Sequence, residues 1–287
     1  ILSLACLLPL SGLAQSSDSV TWKNEGSLGL NFSNVGLSNW AAGGQSSFAI
    51  GTKLNYTKTR TSAKDSWKNQ LDFALGGTQI GKESFRKNDD NIIILSQYNL
   101  KINDKWAYSV TGSIRTQLLE GINFESDVLD KISDFMAPGY LNLNLGFKYS
   151  AGDVFASTMA PLAGKFTFVL DDYLSSLGAF GITPGDQVRT EFGANILSTL
   201  KIPIAENISL ESNLNFFTGY DTFGNVDVFW NTLLVMKVNS WFNATFGTEL
   251  IYDDDIKIEQ EDGNFERKIQ FKHVLNVGVN FSLAKAN

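Results

Sequence analysis

The chain is poor in the residues that usually carry soluble chemistry or mark a helical membrane protein. Its 287 residues include one cysteine, one histidine and five prolines. A single cysteine excludes an intrachain disulfide framework. That cysteine, Cys6, lies in the apolar opening stretch, so no thiol chemistry is expected in the rest of the chain. A single histidine leaves His273 as the only imidazole for base catalysis. There is no basic excess: 23 Lys and Arg stand against 30 Asp and Glu, a net charge of -7. The basic residues are dispersed, which excludes a nucleic-acid interface. Beyond the opening stretch, apolar runs are a few residues long, as at Ile92 to Leu95. A transmembrane helix needs roughly 20. A helical membrane bundle is thereby excluded, but a β-barrel, whose strands are individually weak signals, is not.

What the sequence does have is a rhythm. Segments of about ten residues alternate apolar and polar, and successive side chains on a strand point to opposite faces. In Leu141 to Tyr149 one face is Leu, Leu, Leu, Phe, Tyr and the other Asn, Asn, Gly, Lys. A soluble sandwich would bury the first face. A membrane barrel would give it to lipid and leave the second to a wet lumen. Ile1 to Ala14 reads as the remnant of a secretory signal, with Gly12 and Ala14 at the small-residue positions before Gln15. Residues 15–287 then form one unit, since no low-complexity linker or charge block divides them.

Alternation and turn residues predict about twelve antiparallel strands. The links between them decide the architecture. Asn103-Asp104, Ala151-Gly152, Pro203 to Glu206 and Asn239 are tight turns, and Lys58 to Asp65 is a longer member of the same set. They alternate with long links at Val35–Gln45, Gln79–Asp89, Leu119–Ala137, Leu162–Gln187, Tyr220–Asn225 and Asp253–Arg267. Short periplasmic turns and long outer loops are the mark of an outer-membrane barrel. The weakest strand is the seventh, Asp153–Pro161, whose alternation is confused around Phe155 and Met159.

Aromatic and charged residues fit the same frame. Trp67, Trp106 and Trp241 open strands just after short links, Trp22 precedes the first strand, and Tyr56 and Tyr149 close strands at that level. They are expected to form a periplasmic girdle, because such rings favour the membrane–water boundary. Tyr140, Tyr220 and Tyr252 are expected in an outer girdle. Lys53, Lys68, Asp72, Lys101, Arg115, Lys148, Arg189, Glu191, Glu211, Lys237 and Glu249 share the opposite phase and are expected to face the lumen.

Three segments carry a resemblance. They are Leu37 to Gly44 (LSNWAAGG), Phe135 to Leu141 (FMAPGYL), and Pro161 to Phe168 (PLAGKFTF) with Gly178 to Gly181 (GAFG). In order and content they resemble a family of Gram-negative outer-membrane proteins known only as a domain of unknown function. The resemblance implies a barrel and no catalytic residue or ligand.

Candidate chemistry is sparse. With the last hairpin paired near Tyr252 and Ile269, Thr248 faces His273, and Asn34 could approach from the first strand, the minimum set for a lipase-like site. Asp253-Asp254-Asp255 with Glu259, Glu261 and Asp262 forms an acidic loop without the order of an EF-hand, read as a solvated outer loop. Two links are unusually apolar. Trp40, Leu174 and Phe180 are candidates for a plug, the alternative being loops packed on one another above the barrel. The expectation is a passive channel or substrate-specific pore, with a structural or assembly-partner barrel closed by its loops as the alternative and a lipid-acting barrel enzyme as a minor one. No enzymatic activity and no cofactor are expected. Expected partners are outer-membrane lipid and lipopolysaccharide, a small solute and other outer-membrane proteins.

Overall fold

A computed structural model describes residues 19–35, 45–123, 130–256, 258–259 and 264–284. The signal remnant and Trp40 lie outside the described residues. In chain order the strands are β1 (Thr21–Val35), β2 (Ser47–Thr61), β3 (Asp65–Ile80), β4 (Arg86–Lys101), β5 (Trp106–Thr116), β6 (Gly121–Asn123), β7 (Asp130–Ser133), β8 (Gly139–Ala151) and β9 (Phe155–Phe168). After the helix α1 (Asp172–Ser176) and a 3-10 turn at Ala179–Gly181 come β10 (Val188–Ala205), β11 (Ile208–Gly219), β12 (Asp227–Lys237), β13 (Phe242–Tyr252), β14 (Ile258–Glu259), β15 (Phe265–Glu266) and β16 (Gln270–Ala284). Twelve of these close a barrel in the order β1-β16-β13-β12-β11-β10-β9-β8-β5-β4-β3-β2. Every neighbouring pair is antiparallel, and β1 completes the ring by pairing with both β16 and β2. The small hairpins β6–β7 and β14–β15 belong to the long links.

The short links are held by side chains that mimic backbone turns. The Asn103 carboxamide oxygen accepts from the amides of Lys105 and Trp106. Asn239 does the same for Trp241 and Phe242. Ser62 Oγ accepts from the amides of Lys64 and Asp65. Gly152, at φ 60°, supplies the left-handed residue of a fourth turn.

The apolar face is turned outward. Leu30, Phe32, Ile50, Ile94, Val110, Leu143, Leu145, Phe192, Leu275 and Val277 are exposed large hydrophobics, each on the same phase of its strand as its outward neighbours. A closed ring removes every sheet edge, and its apolar exterior is matched by lipid rather than water. The chain is an outer-membrane β-barrel.

One irregularity shapes the interior. In β9 the stretch around Pro161 carries one extra residue relative to both neighbours: Leu145 and Phe147 face Leu162 and Met159, while Gly193 and Asn195 face Ala163 and Ala160. Proline has no amide to donate to the ladder, so a bulge accommodates it. The bulge reverses phase, so Met159 and Leu162 both point outward. This explains the confused alternation, and the strand runs on to Phe168 rather than ending at Pro161. Here the inner wall is built from small residues, Ser109, Thr111, Thr158, Ala160 and Ala163, all buried. Gln97 on β4 reaches past β5 and β8 to donate to Thr158 on β9 at 3.1 Å, and also to Ser109 and Thr111 at 3.2 Å. The barrel is thus pinched into a tight corner along β5, β8 and β9. Asn144 lies in that corner and is 4% exposed, so it does not face open lumen as its phase alone suggests.

Candidate functional site

The residues with the densest electrostatic contacts converge at the long-loop end, on the inner face. Lys165 projects from β9 into the lumen and is 7% exposed. Its Nζ lies 2.6 Å from Asp227 at the start of β12, 3.4 Å from Asp253 just after β13 and 3.6 Å from Glu191 on β10. Phe217 lies under the ammonium at 5.5 Å. Beside it, Arg189 pairs with Glu191 at 3.0 Å and with Asp255 at 3.2 Å. The Asp254 amide donates to Asp227, fixing the loop on this network. Carboxylate oxygens of Glu191, Asp227 and Asp255 converge within 4.8 Å. That is a metal-like spacing, but Lys165 and Arg189 already occupy the space among these carboxylates as their shared counter-ions.

A second bridge crosses the lumen nearby. The Arg115 guanidinium on β5 lies over the ring of Tyr140 of β8, at 4.9 Å, and over that of Phe229 of β12, at 4.5 Å. Four strands separate β5 from β12 around the ring. Tyr140 therefore faces inward. It is not part of an outer girdle, because it shares the phase of Asn142 and Asn144. Asp253 is likewise not a solvated loop residue: it is 8% exposed and bound to Lys165.

Two long links fold over this end. Ala137, Val169, Leu174 and Ile182 form a small core, with Ala179 and Phe180 packed against it. Leu174 and Phe180 thus join loop to loop above the barrel. The cap is tied to the wall where Arg189 Nη1 donates to the Gly181 carbonyl at 3.0 Å. Its helix begins at Asp171, whose carboxylate accepts from the Leu174 amide. Lys131 clips the two links together through Asp134 at 2.7 Å and Asp171 at 2.8 Å.

The hydrogen bonds from Lys131 hold both the Asp134 and the Asp171 carboxyls below the ordinary aspartate range. A carboxyl lowered in this way contributes stability above its free value and loses it as pH falls through the lowered one. The clip should therefore be intact at neutral pH and weaken progressively as pH falls below about 4, the free aspartate value, toward the lowered ones. Limited proteolysis should show the cap cut faster at pH 3 than at pH 7 by an acid-tolerant protease whose activity is normalised at each pH. The barrel should stay resistant. Lys131→Gln should already be cut fast at pH 7. Equal cutting of the cap at both pH values would refute the clip.

The remaining inward residues line a wider, wetter side. Lys53 on β2 and Lys272 on β16 both approach Asp89 on β4, at 3.7 and 3.3 Å. Asp72 accepts from Asn55 and Gln70. Glu211 pairs with Lys201 at 3.1 Å. Glu249 lies in register with Asn231 and Lys272. The structure brings Arg189 and Glu191 into the network at the mouth, sets Arg115 beside it, and leaves Lys53, Asp72, Glu211 and Glu249 apart from it. At the short-turn end, the rings of Trp106 and Tyr149 meet in a tilted pair at 5.1 Å, Trp67 Nε1 donates to Ser96, and Tyr56 Oη donates to Asn24. Trp67, Trp106 and Trp241 are all exposed on the outer surface.

A family model described as "Protein of unknown function (DUF3078)" matches residues 32–122. No curated protein matches the chain. Among solved structures, an outer-membrane channel from Pseudomonas putida F1 is 8% identical, with a TM-score of 0.41 over 94% of this chain and 98% of that one. The NanC porin is 8% identical, with a TM-score of 0.40 over 90% of this chain and 100% of that one. The translocator domain of autotransporter NalP from Neisseria meningitidis is 10% identical, with a TM-score of 0.35 over 94% and 90%.

Thr248 does face His273 across β13 and β16. Its hydroxyl, however, is engaged with Thr232 at 2.6 Å, and the imidazole packs between Phe246 and Phe271. Among the described residues no nucleophile and base are in hydrogen-bond contact there. Sequence reasoning missed Lys165 and Asp227. One signal existed: a lysine inside the apolar segment Pro161 to Phe168 demands a carboxylate partner when buried.

Proposed function

We propose that the barrel is a solute channel with a constriction at its outer end. The observation that carries this reading is the wetness of the inner wall away from the tight corner. The inward side chains of Lys53, Lys272, Lys201 and Glu211, on four strands, keep between 41% and 54% of their surface exposed. Charges are left in this state inside a membrane barrel when water fills the lumen beside them. The Lys165 network and the Arg115 bridge narrow the outer end, and the cap joined through Gly181 covers part of it. Trp67, Trp106, Trp241, Tyr56 and Tyr149 anchor the periplasmic rim, and small solutes pass along the β16–β1–β2–β3 wall. Planar-bilayer recording tests this. The intact protein should give discrete ohmic steps, and replacing Leu174 to Phe180 with a short glycine–serine linker should enlarge them. A second reading, a structural barrel with a closed lumen, is favoured by the same bridges and cap. Silence from both proteins in the bilayer would select it.

A further inference from the structure

Four inward side chains stand side by side in the outer end of the wall. Arg115 is in register with Tyr140, Tyr140 with Thr167, and Thr167 with Arg189, across β5, β8, β9 and β10. All four are hydrogen-bond donors, and the row contains no carboxylate. Arg189 is already committed to Glu191, Asp255 and Gly181. The other three are not committed. Among the described residues, Arg115 makes no ion pair and no hydrogen bond, and its guanidinium carbon lies over the rings of Tyr140 and Phe229. Stacking removes water from the faces of a guanidinium and leaves the N–H edge as its polar outlet. Thr167 is 0% exposed and its Oγ1 has no partner. A buried hydroxyl without a partner is costly, and in native proteins it usually has one.

We infer that Arg115, Tyr140 and Thr167 form a subsite for the oxyanion group of a solute, a carboxylate or a phosphate. A guanidinium edge presents paired N–H groups that match either group bidentately, and neighbouring hydroxyls complete its shell. The four carboxylates nearest the row share two cations, Glu191, Asp227 and Asp253 around Lys165 and Asp255 on Arg189, and none of them pairs with Arg115. The inference deepens the channel reading and rests on it, since an oxyanion reaches this row through the mouth of the lumen.

Titration calorimetry on the intact barrel in detergent tests the subsite without requiring conduction. The probes are succinate, inorganic phosphate and, as a neutral control, sorbitol. Succinate or phosphate should bind, the tighter one naming the class, and sorbitol should not. Thr167→Val and Tyr140→Phe should each weaken binding about tenfold. Arg115→Met should abolish it. Thr167→Val should leave resistance to urea unchanged or higher, because the lost hydroxyl has no partner, and this separates a binding role from a structural one. Sorbitol binding as tightly as succinate and phosphate would overturn the inference, as would unchanged affinity in Thr167→Val or no binding to the wild type. Conduction without binding removes the subsite and leaves the channel. Binding without conduction leaves the subsite and removes the channel.

Discussion

Replacing Lys165 with methionine should cost the folded barrel about 3–5 kcal/mol, the range for removing one partner from a buried ion network. The ammonium is the shared counter-ion of Glu191, Asp227 and Asp253, and the side chains of these acids are 17%, 17% and 9% exposed. Without it, Asp227 and Asp253 keep no other cation among the described residues, whereas Glu191 keeps Arg189. The loss is also topological. Lys165 ties β9 to β12 and β13, which are not its ladder neighbours. A urea titration of unfolding, with reversible refolding, measures the effect as a shift in midpoint. Lys165→Met combined with Asp227→Asn should recover part of the loss by removing one of the uncompensated charges. Lys201→Met provides the contrast. Its pair with Glu211 is about half exposed on both sides. It should cost no more than about 1 kcal/mol, as surface pairs do. A similarly small loss at Lys165 would mean that the network is hydrated and does not hold the mouth.

The barrel was legible because each of its causes is local. Alternation, turn asparagines and the placement of tryptophan after short links are properties of a few consecutive residues. They locate the tight turns at Asn103, Gly152 and Asn239 and the six long links between the barrel strands. The interior was legible only where phase was unbroken. Around Pro161 one extra residue reverses the phase, and the sequence offers no count of residues on the facing strands from which to see it. The tight corner follows from that bulge and from small residues on β5 and β9, so the burial of Asn144 emerges only when the strands are assembled. The mouth network is less legible still. Lys165 and Asp227 are 62 residues apart, and nothing local couples them. Tyr140 is a different case. Its parity with Asn142 and Asn144 already placed it inside, and the preference of tyrosine for membrane boundaries was the weaker guide. Leu174 and Phe180 stand out in the sequence as apolar residues in a loop, but what they pack against, Val169, Ile182 and Ala137 from two separate links, does not.

A charge on the outer face should separate the two sides of the wall most sharply. Leu145 stands at the middle of β8, 49% exposed and pointing to lipid, in register with Val110 and Leu162. Arginine there should destabilise the barrel by about 2–4 kcal/mol, the cost measured for such a charge near the bilayer midplane. Asn213 on β11 is exposed on the inward phase, bonded to Thr199 and Asn231. An arginine at that position meets water in the lumen, so the cost should stay below about 1 kcal/mol. Asn144 tests the corner. It also faces inward, but it sits against Thr111 and Ala163 with little space around it. Asn144→Arg should cost about 1–3 kcal/mol through overpacking rather than through lipid. Refolding titrations of the three variants in vesicles of two acyl-chain lengths distinguish the causes. The penalty at Leu145 should vary with bilayer thickness, because the depth of the charge changes. The penalty at Asn144 should not, because the barrel wall itself sets it. Equal losses at Leu145 and Asn213 would remove the distinction between a lipid face and a wet lumen face, and with it the channel.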